Sequence, residues 1–183
     1  MILASQSPRR RELLSIIVLD FRVIPPHVDE RPLGGETPSC YVERLAKAKA
    51  MAVCAEAGKG ENVIGSDTTV SVDGKILNKP VDQSDFLRMM RLLSGRKHQV
   101  YSGVCVFRDF VTYSCVVRTD VQVRMISDRE ALDYWASGEP KDKAGGYGIQ
   151  GSAARFIERI DGSYTNVVGL PLVELEVLLN DAS

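Results

Sequence analysis

No stretch of this 183-residue chain is apolar for long enough to cross a bilayer, which takes roughly 20 residues. The opening run, Met1-Ile2-Leu3-Ala4, is too short for the apolar core of an export signal, so none is expected. Histidine is scarce: only His27 and His98 are present, far apart in sequence. The four cysteines, Cys40, Cys54, Cys105 and Cys115, form no Cys-x-x-Cys pair, and neither histidine lies at ligand spacing from one. A zinc site therefore has no support, and reduced thiols in a cytoplasmic protein are expected. A net charge of −1 argues against a general nucleic-acid or membrane-surface binder, which needs a basic face. Repeats, low-complexity tracts and linkers are also absent. What remains, 44% hydrophobic and 26% charged, is the composition of an ordinary globular protein, most simply one domain or two lobes sharing a core.

Strand and helix signals mix without strict βαβ alternation, which predicts an α/β or α+β fold with a mixed sheet. Ile2 to Ala4 reads as a buried strand. Ser7 then caps a helix over about 8–16, with Pro8 at its first position. A strand at 21–24 and a Pro-bounded loop lead to a helix opened by Thr37-Pro38 and running to about Ala57. A strand from Val63 reaches Asp73-Gly74, a strong two-residue hairpin signal. Asp82 caps a helix that stops at Ser94-Gly95, and long strands follow at about 98–107 and 112–126. Ser127 and Glu130 form a capping box for a helix ending at Gly138. A strand at 155–160 and a last helix opened by Pro171 complete the chain.

Five places carry possible chemistry. Ser5-Gln6-Ser7-Pro8-Arg9-Arg10-Arg11 joins a strand end to a helix start, where free amides and the positive end of the dipole suit an anion. The arginines add planar donors that match phosphate oxygens in pairs; a solvated basic face is the plain alternative. Lys49 lies four residues after Leu45 and seven after Val42, on or beside the apolar stripe of its helix. It either snorkels outward or meets an anionic ligand in a cleft. Asp29-Glu30 is either a solvated loop pair or, with Asp67, a source of the one or two oxygen ligands that Mg²⁺ takes when phosphates supply the rest.

In the hairpin, Val72 should face Lys75, Val70 should face Leu77, and Thr68 should face Lys79. A regular ladder would then send Asp67 and Lys79 to opposite faces, unless a bulge or strand end near Pro80 brings them together. Gly65-Ser66, small residues ahead of Asp67, would let a ligand approach the backbone. The functional reading makes Asp67 a general base or metal ligand and Lys79 a phosphate partner; a surface ion pair is the alternative. Finally, segment 138–151 is rich in glycine yet holds Tyr147, Ile149 and Gln150, which suit recognition of a planar base better than they suit a bare linker.

Together these segments resemble the Maf family of nucleoside triphosphate pyrophosphatases. The resemblance rests on Ala4-Ser5-x-Ser7-Pro8-Arg9-Arg10, Gly65-Ser66-Asp67-Thr68, Lys79-Pro80, Ser94-Gly95-x-x-His98-x-Val100-x-Ser102-Gly103-Val104, Asp142 to Gly151, and Asn166 to Leu172. It runs over essentially the whole chain, with the motifs in order. It implies a two-lobed α/β fold similar to the inosine triphosphate pyrophosphatases, with a nucleotide cleft between the lobes and often a homodimer. It also implies hydrolysis of a nucleoside triphosphate to monophosphate and pyrophosphate with Mg²⁺ or Mn²⁺. The family's proton acceptor falls on Asp67, and its phosphate-binding and acidic positions fall on Arg10, Glu30, Lys49 and Lys79.

Members acting on dTTP and UTP are similar to this chain at Arg9, Thr68 and Gln150, where members acting on 7-methyl-GTP carry Trp, Gln and Glu. Modified pyrimidines stay open. Ser102 stands where Thr is common, a change expected to matter little. The resulting expectation is metal-assisted hydrolysis of dTTP or UTP in a cytoplasmic protein, with Asp67 and Glu30 as metal ligands. Asp67, Lys79, Lys49 and Glu30 would be catalytic; Ser7, Arg9, Arg10, Thr68, Tyr147 and Gln150 would bind substrate. Two rivals stand beside it: a regulatory nucleotide binder acting on septum formation, and a pyrophosphatase for damaged or methylated nucleotides.

Overall fold

A computed structural model describes every residue, Met1–Ser183. Seven strands form one mixed sheet, the fold class expected from the sequence. Strand β1 (Ile2–Ala4) runs parallel to both β2 (Arg22–Val23) and β3 (Val63–Val72). Antiparallel partners follow: β5 (Lys97–Arg108) on β3, β6 (Val111–Val123) on β5, and β7 (Ile157–Asp161) on β6. Strand β4 (Lys75–Leu77) returns along β3 through the Asp73-Gly74 turn, whose positive φ angles of 51° and 76° suit those two residues. The register is the expected one, Val72 with Lys75 and Val70 with Leu77.

Local chemistry explains most helix starts. Ser7 accepts the Arg10 amide to cap α1 (Pro8–Ile17), Thr37 caps α2 (Pro38–Ala52), and Asp82 caps α3 (Gln83–Leu93). Helix α4 (Asp128–Ala136) opens on the full Ser127–Glu130 capping box. The last helix, α6 (Leu172–Asp181), begins after Pro171.

Four differences from the sequence reading have local causes. Helix α2 ends at Ala52, and a 3₁₀ turn covers Cys54–Glu56. The β5–β6 hairpin turns on Asp109-Phe110, both at positive φ, with no glycine to signal it. A five-residue helix, α5 (Tyr164–Val168), capped by Ser163, was too short to show periodicity. Segment 139–146, where the sequence signalled no regular element, is a series of short 3₁₀ turns.

Apolar side chains gather in separate clusters on the two faces of the sheet and at its far end. Leu3, Leu14, Ile64, Val104, Leu170 and Leu175 join α1 and α6 to one face. Ile2, Ala46, Ala50, Val63 and Cys105 join α2 to the other. Val70, Phe86, Met90, Val121, Tyr134 and Phe156 fill the far end beneath α3 and α4. Between them the sheet forks. On one edge of β3, β1 stops at Gly65 and β4 begins only at Val70. Residues Ser66 to Thr69 thus lack a strand on that side, and a cleft of about 1090 Å³ opens there. No helix is long and apolar enough to cross a membrane, and all four cysteines are free thiols.

Candidate active site

The gap in the sheet decides what the cleft can reach. Side chains alternate along β3, so Asp67 shares the face of Val63 and Gly65, under α2, whereas Thr68 shares the face of Ile64, over α1. Where β1 has ended, the cleft touches both faces from the edge, and Asp67, Thr68 and Val70 all line it.

Helix α2 lies unusually close to the sheet. A Cβ on Gly65 would fall onto the Ala46 carbonyl and within 2.7 Å of the Ala50 amide, and one on Gly103 would fall onto the Val42 backbone. Gly65 therefore makes room for a helix, not for a ligand, which corrects the sequence reading. The close approach brings Lys49 down onto the sheet. Its ammonium is buried and donates to Asp67 Oδ1 at 2.6 Å, and it meets Glu30 Oε1 at 2.6 Å. Glu30 arrives from the loop before α2, held where Tyr41 donates its hydroxyl to the Glu30 carbonyl at 2.8 Å. Its neighbour Asp29 turns away and forms an exposed pair with Arg31, which pulls its carboxyl down to about 2. The loop pair thus divides, with Glu30 in the cleft and Asp29 outside.

Burial pushes the Asp67 carboxyl above the ordinary carboxylate range, against the opposing pull of Lys49 and Arg10. Burial also acts upward on Glu30, but the hydrogen bond and charge of Lys49, with Lys79 and Arg10 beyond, outweigh it and hold Glu30 low. The two carboxylates are thereby left unlike, Asp67 raised by burial and Glu30 lowered by Lys49. Their oxygens converge on a single ammonium beside an open cleft, so they also fit a hard divalent cation. The structure has no cluster of three or more His, Cys, Asp or Glu residues. Such an ion would complete its shell from phosphate oxygens and water, as Mg²⁺ commonly does.

On the other face, Arg10 lies over Thr68. Its Nε donates to the Gly169 carbonyl at 2.8 Å and its Nη2 to Thr68 Oγ1 at 3.1 Å. Thr68 Oγ1 lies 2.7 Å from Ser102 Oγ, which donates to the Asn166 carbonyl at 3.0 Å. Asn166, fully buried, donates in turn to Thr119 Oγ1 at 2.8 Å. This chain of hydroxyls locks the guanidinium plane in place. Burial lowers the Arg10 value and Asp67 opposes it; the group stays charged. Arg9 lines the cleft and lies 3.6 Å from Asp142 across its mouth, while Arg11 is exposed on the solvent face. Only two of the three arginines face the cleft. Ser7 lines it as well, with its hydroxyl engaged in capping α1.

Lys79 reaches the cleft because the β3–β4 ladder ends at Leu77, two residues before it. The side chain is exposed and has no ion-pair partner within 4 Å, and Glu30 feels its charge. It does not pair with Asp67, which Lys49 holds instead. Tyr147 and Gln150 line the opposite wall. Tyr147 places its hydroxyl 2.6 Å from Nε2 of the fully buried His98, and Gln150 is exposed at the rim. Sequence reasoning gave no site role to Tyr41 or Glu139, and it singled out Asn166 and Gly169 only as part of a motif, with no contact assigned to either.

A family profile described as Maf-like protein matches residues 1–182. A dTTP/UTP pyrophosphatase of Vibrio cholerae is 50% identical over 98% of this chain and 96% of its own length. One from Acinetobacter baylyi is 48% identical over 97% and 96%, and one from Sphingopyxis alaskensis is 50% identical over 98% and 95%. Among solved structures, the Staphylococcus aureus Ham1 protein overlaps 67% of this chain and 70% of its own at 17% identity, with a TM-score of 0.49. With the profile spanning all but the final residue and half of all positions shared with such relatives, the chain belongs to the Maf family.

Proposed function

We propose that this cleft hydrolyses dTTP and UTP to the nucleoside monophosphate and pyrophosphate. The observation that carries the reading is the buried Asp67 carboxyl, raised above its ordinary range and held on Lys49 at an unpaired strand edge facing the cleft. An acidic group at the phosphate end repels the substrate unless it holds a cation or takes a proton, and both uses suit Asp67. A carboxylate with a raised value takes a proton from water more readily, and a polyanionic substrate beside it raises the value further.

In this reading Arg10, Lys79 and Arg9 hold the triphosphate. Water attacks the α-phosphorus as Asp67 takes its proton. The bond from that phosphorus to the bridging oxygen breaks, and its electron pair leaves with pyrophosphate. Arg10 and Lys79 face the charge that grows on the departing oxygens, and Arg10 needs no reorganisation because Thr68 and Gly169 already fix it. Lys49 keeps Asp67 aimed and offsets its charge. Asp67 and Glu30 would hold a divalent cation, Mg²⁺ or Mn²⁺, which when bound neutralises phosphate charge and polarises the phosphoryl oxygens. Gln150 offers an amide to the edge of a pyrimidine, and the Tyr147 ring walls the same side.

In this reading the chain is one domain of two lobes, one built on the cluster beneath α3 and α4 and the other on the clusters that join α1, α2 and α6 to the sheet. The test is pyrophosphate release from a panel of dTTP, UTP, 7-methyl-GTP and 5-methyl-CTP, with Mg²⁺ and with chelator. Metal-dependent release strongest with dTTP and UTP is the expected result. Preference for 7-methyl-GTP, or binding with no release at all, would overturn the proposal.

A further inference from the structure

Gln150 is exposed at the cleft rim, so a second element must fix its position if it is to read a base. The turn that carries it is closed by the Gly151 amide donating to the Gly148 carbonyl at 3.1 Å. Both ends of that turn rest on one pair of side chains. The Ser152 amide and hydroxyl donate to Glu139 Oε2 at 3.0 and 2.8 Å. Tyr134 donates its hydroxyl to Glu139 Oε1 at 2.8 Å, and its oxygen accepts the Gly148 amide at 3.3 Å.

The contact is close. A Cβ on Gly151 would fall onto the Glu139 carboxylate, and one on Gly148 would come within 2.7 Å of the Lys143 side chain. Lys143 in turn donates to the Glu139 carbonyl at 2.6 Å. Tyr134 is buried against Phe86 and Phe156, so the pair rests on packed core. Glu139 has no cation within ion-pair distance and is held by three neutral donors. With both oxygens so occupied, it is poorly placed to take a metal or a proton, although it lines the cleft.

We propose that Glu139 is a positioning residue for base recognition: it holds the Gly148–Ser152 turn so that Gln150 faces the bound base. The inference rests on the proposed pyrimidine nucleotide reading and deepens it. A carboxylate is required because one side chain must accept from Tyr134 on one oxygen and twice from Ser152 on the other. A Gln at this place keeps one acceptor and turns an N–H₂ toward the remaining donors, so its effect is partial.

The experiment compares wild type, Glu139→Ala and Glu139→Gln in steady-state pyrophosphate release from dTTP and GTP, with a melting curve for each. For Glu139→Ala, KM for dTTP should rise about tenfold while kcat moves by less than about threefold, because the loss is in binding the base and not in the chemistry. The preference for dTTP over GTP should fall by a similar factor, and Glu139→Gln should lie between the two. If Glu139→Ala does not fold, Glu139→Gln and the surface variant Ser152→Ala give the same split in smaller measure. A fall in kcat at constant KM, or unchanged selectivity in a folded variant, would overturn the assignment. A wild type that cleaves GTP as well as dTTP would instead defeat the underlying substrate reading, and the wild-type measurement alone reveals that case.

Discussion

Replacing Lys49 with Met removes the charge that two carboxylates share. Lys49 lies 2.6 Å from oxygens of both Asp67 and Glu30, and its methylenes pack with the α2 stripe, so Met keeps much of the volume. Glu30 is half exposed and recovers water, so its share of the loss is discounted. Asp67 is buried and cannot do the same. Breaking a buried pair from one side typically costs 3–5 kcal/mol, and contact with the cleft argues for about 3 kcal/mol here. For a chain of this length that is a fall in Tm of roughly 6–12 °C.

The loss carries a pH signature. Asp67 is already raised in the folded state, and without Lys49 it rises further. A carboxyl whose folded value lies above its unfolded value carries its full penalty above the folded value, and the penalty fades as pH falls from there to the unfolded value. Thermal melts of Lys49→Met should therefore show a larger deficit near about pH 8 than near about pH 5. The double variant Lys49→Met with Asp67→Asn removes the unpaired charge and should regain most of the loss, a coupling that a double-mutant cycle measures. A Lys49→Met protein that melts within about 2 °C of wild type near pH 8 would refute the reasoning, as would a double variant no better than the single.

Burial holds His98 down to about 4 from its ordinary 6.5, with Asp120 opposing, so it stays neutral in the fold. Below about pH 6.5 the unfolded chain binds a proton that the folded one does not, so stability falls between about pH 6.5 and 4, by about 3 kcal/mol in all. Melts across that range should flatten in His98→Gln, and an unchanged slope would contradict the assignment. Gly65→Ala places a methyl on the Ala46 carbonyl and should lower both Tm and pyrophosphate release by displacing α2 and Lys49; a stable, active variant would show that the contact is not tight. Chelator should abolish release yet shift the melt by less than about 1 °C, because no cluster of three carboxylates depends on an ion. Activity that persists in chelator would remove the metal from the account.

Much of this architecture was legible in the chain because its signals are local. Ser7, Thr37, Asp82 and Ser127 each cap the helix they announce, and Asp73-Gly74 sets the hairpin register. Lys49 stood out as a charge on an apolar stripe. Its meeting with Asp67 depends on Gly65 and Gly103 admitting α2, a relation between segments far apart that no window along the chain contains. The opening at Ser66 to Thr69 exists because β1 ends where it does and β4 begins late, which only pairing reveals. The sequence left open whether Asp67 and Lys79 meet, because Lys79 lies beyond the end of the ladder at Leu77, where alternation no longer places a side chain. Where the ladder ends then decided that Lys79 meets the cleft without pairing with Asp67. Ser102 acts only through its hydroxyl, which Thr also has, in linking Thr68 to Asn166.

The central claim is that Asp67 takes the proton from the attacking water, and Asp67→Asn tests it most directly. Asn has nearly the same shape and leaves Glu30 with Lys49, so the protein should fold and melt close to wild type. Release of pyrophosphate and monophosphate from dTTP with Mg²⁺ should fall by at least about 10³-fold. A folded Asp67→Asn protein that retains a tenth or more of the wild-type rate would contradict the account.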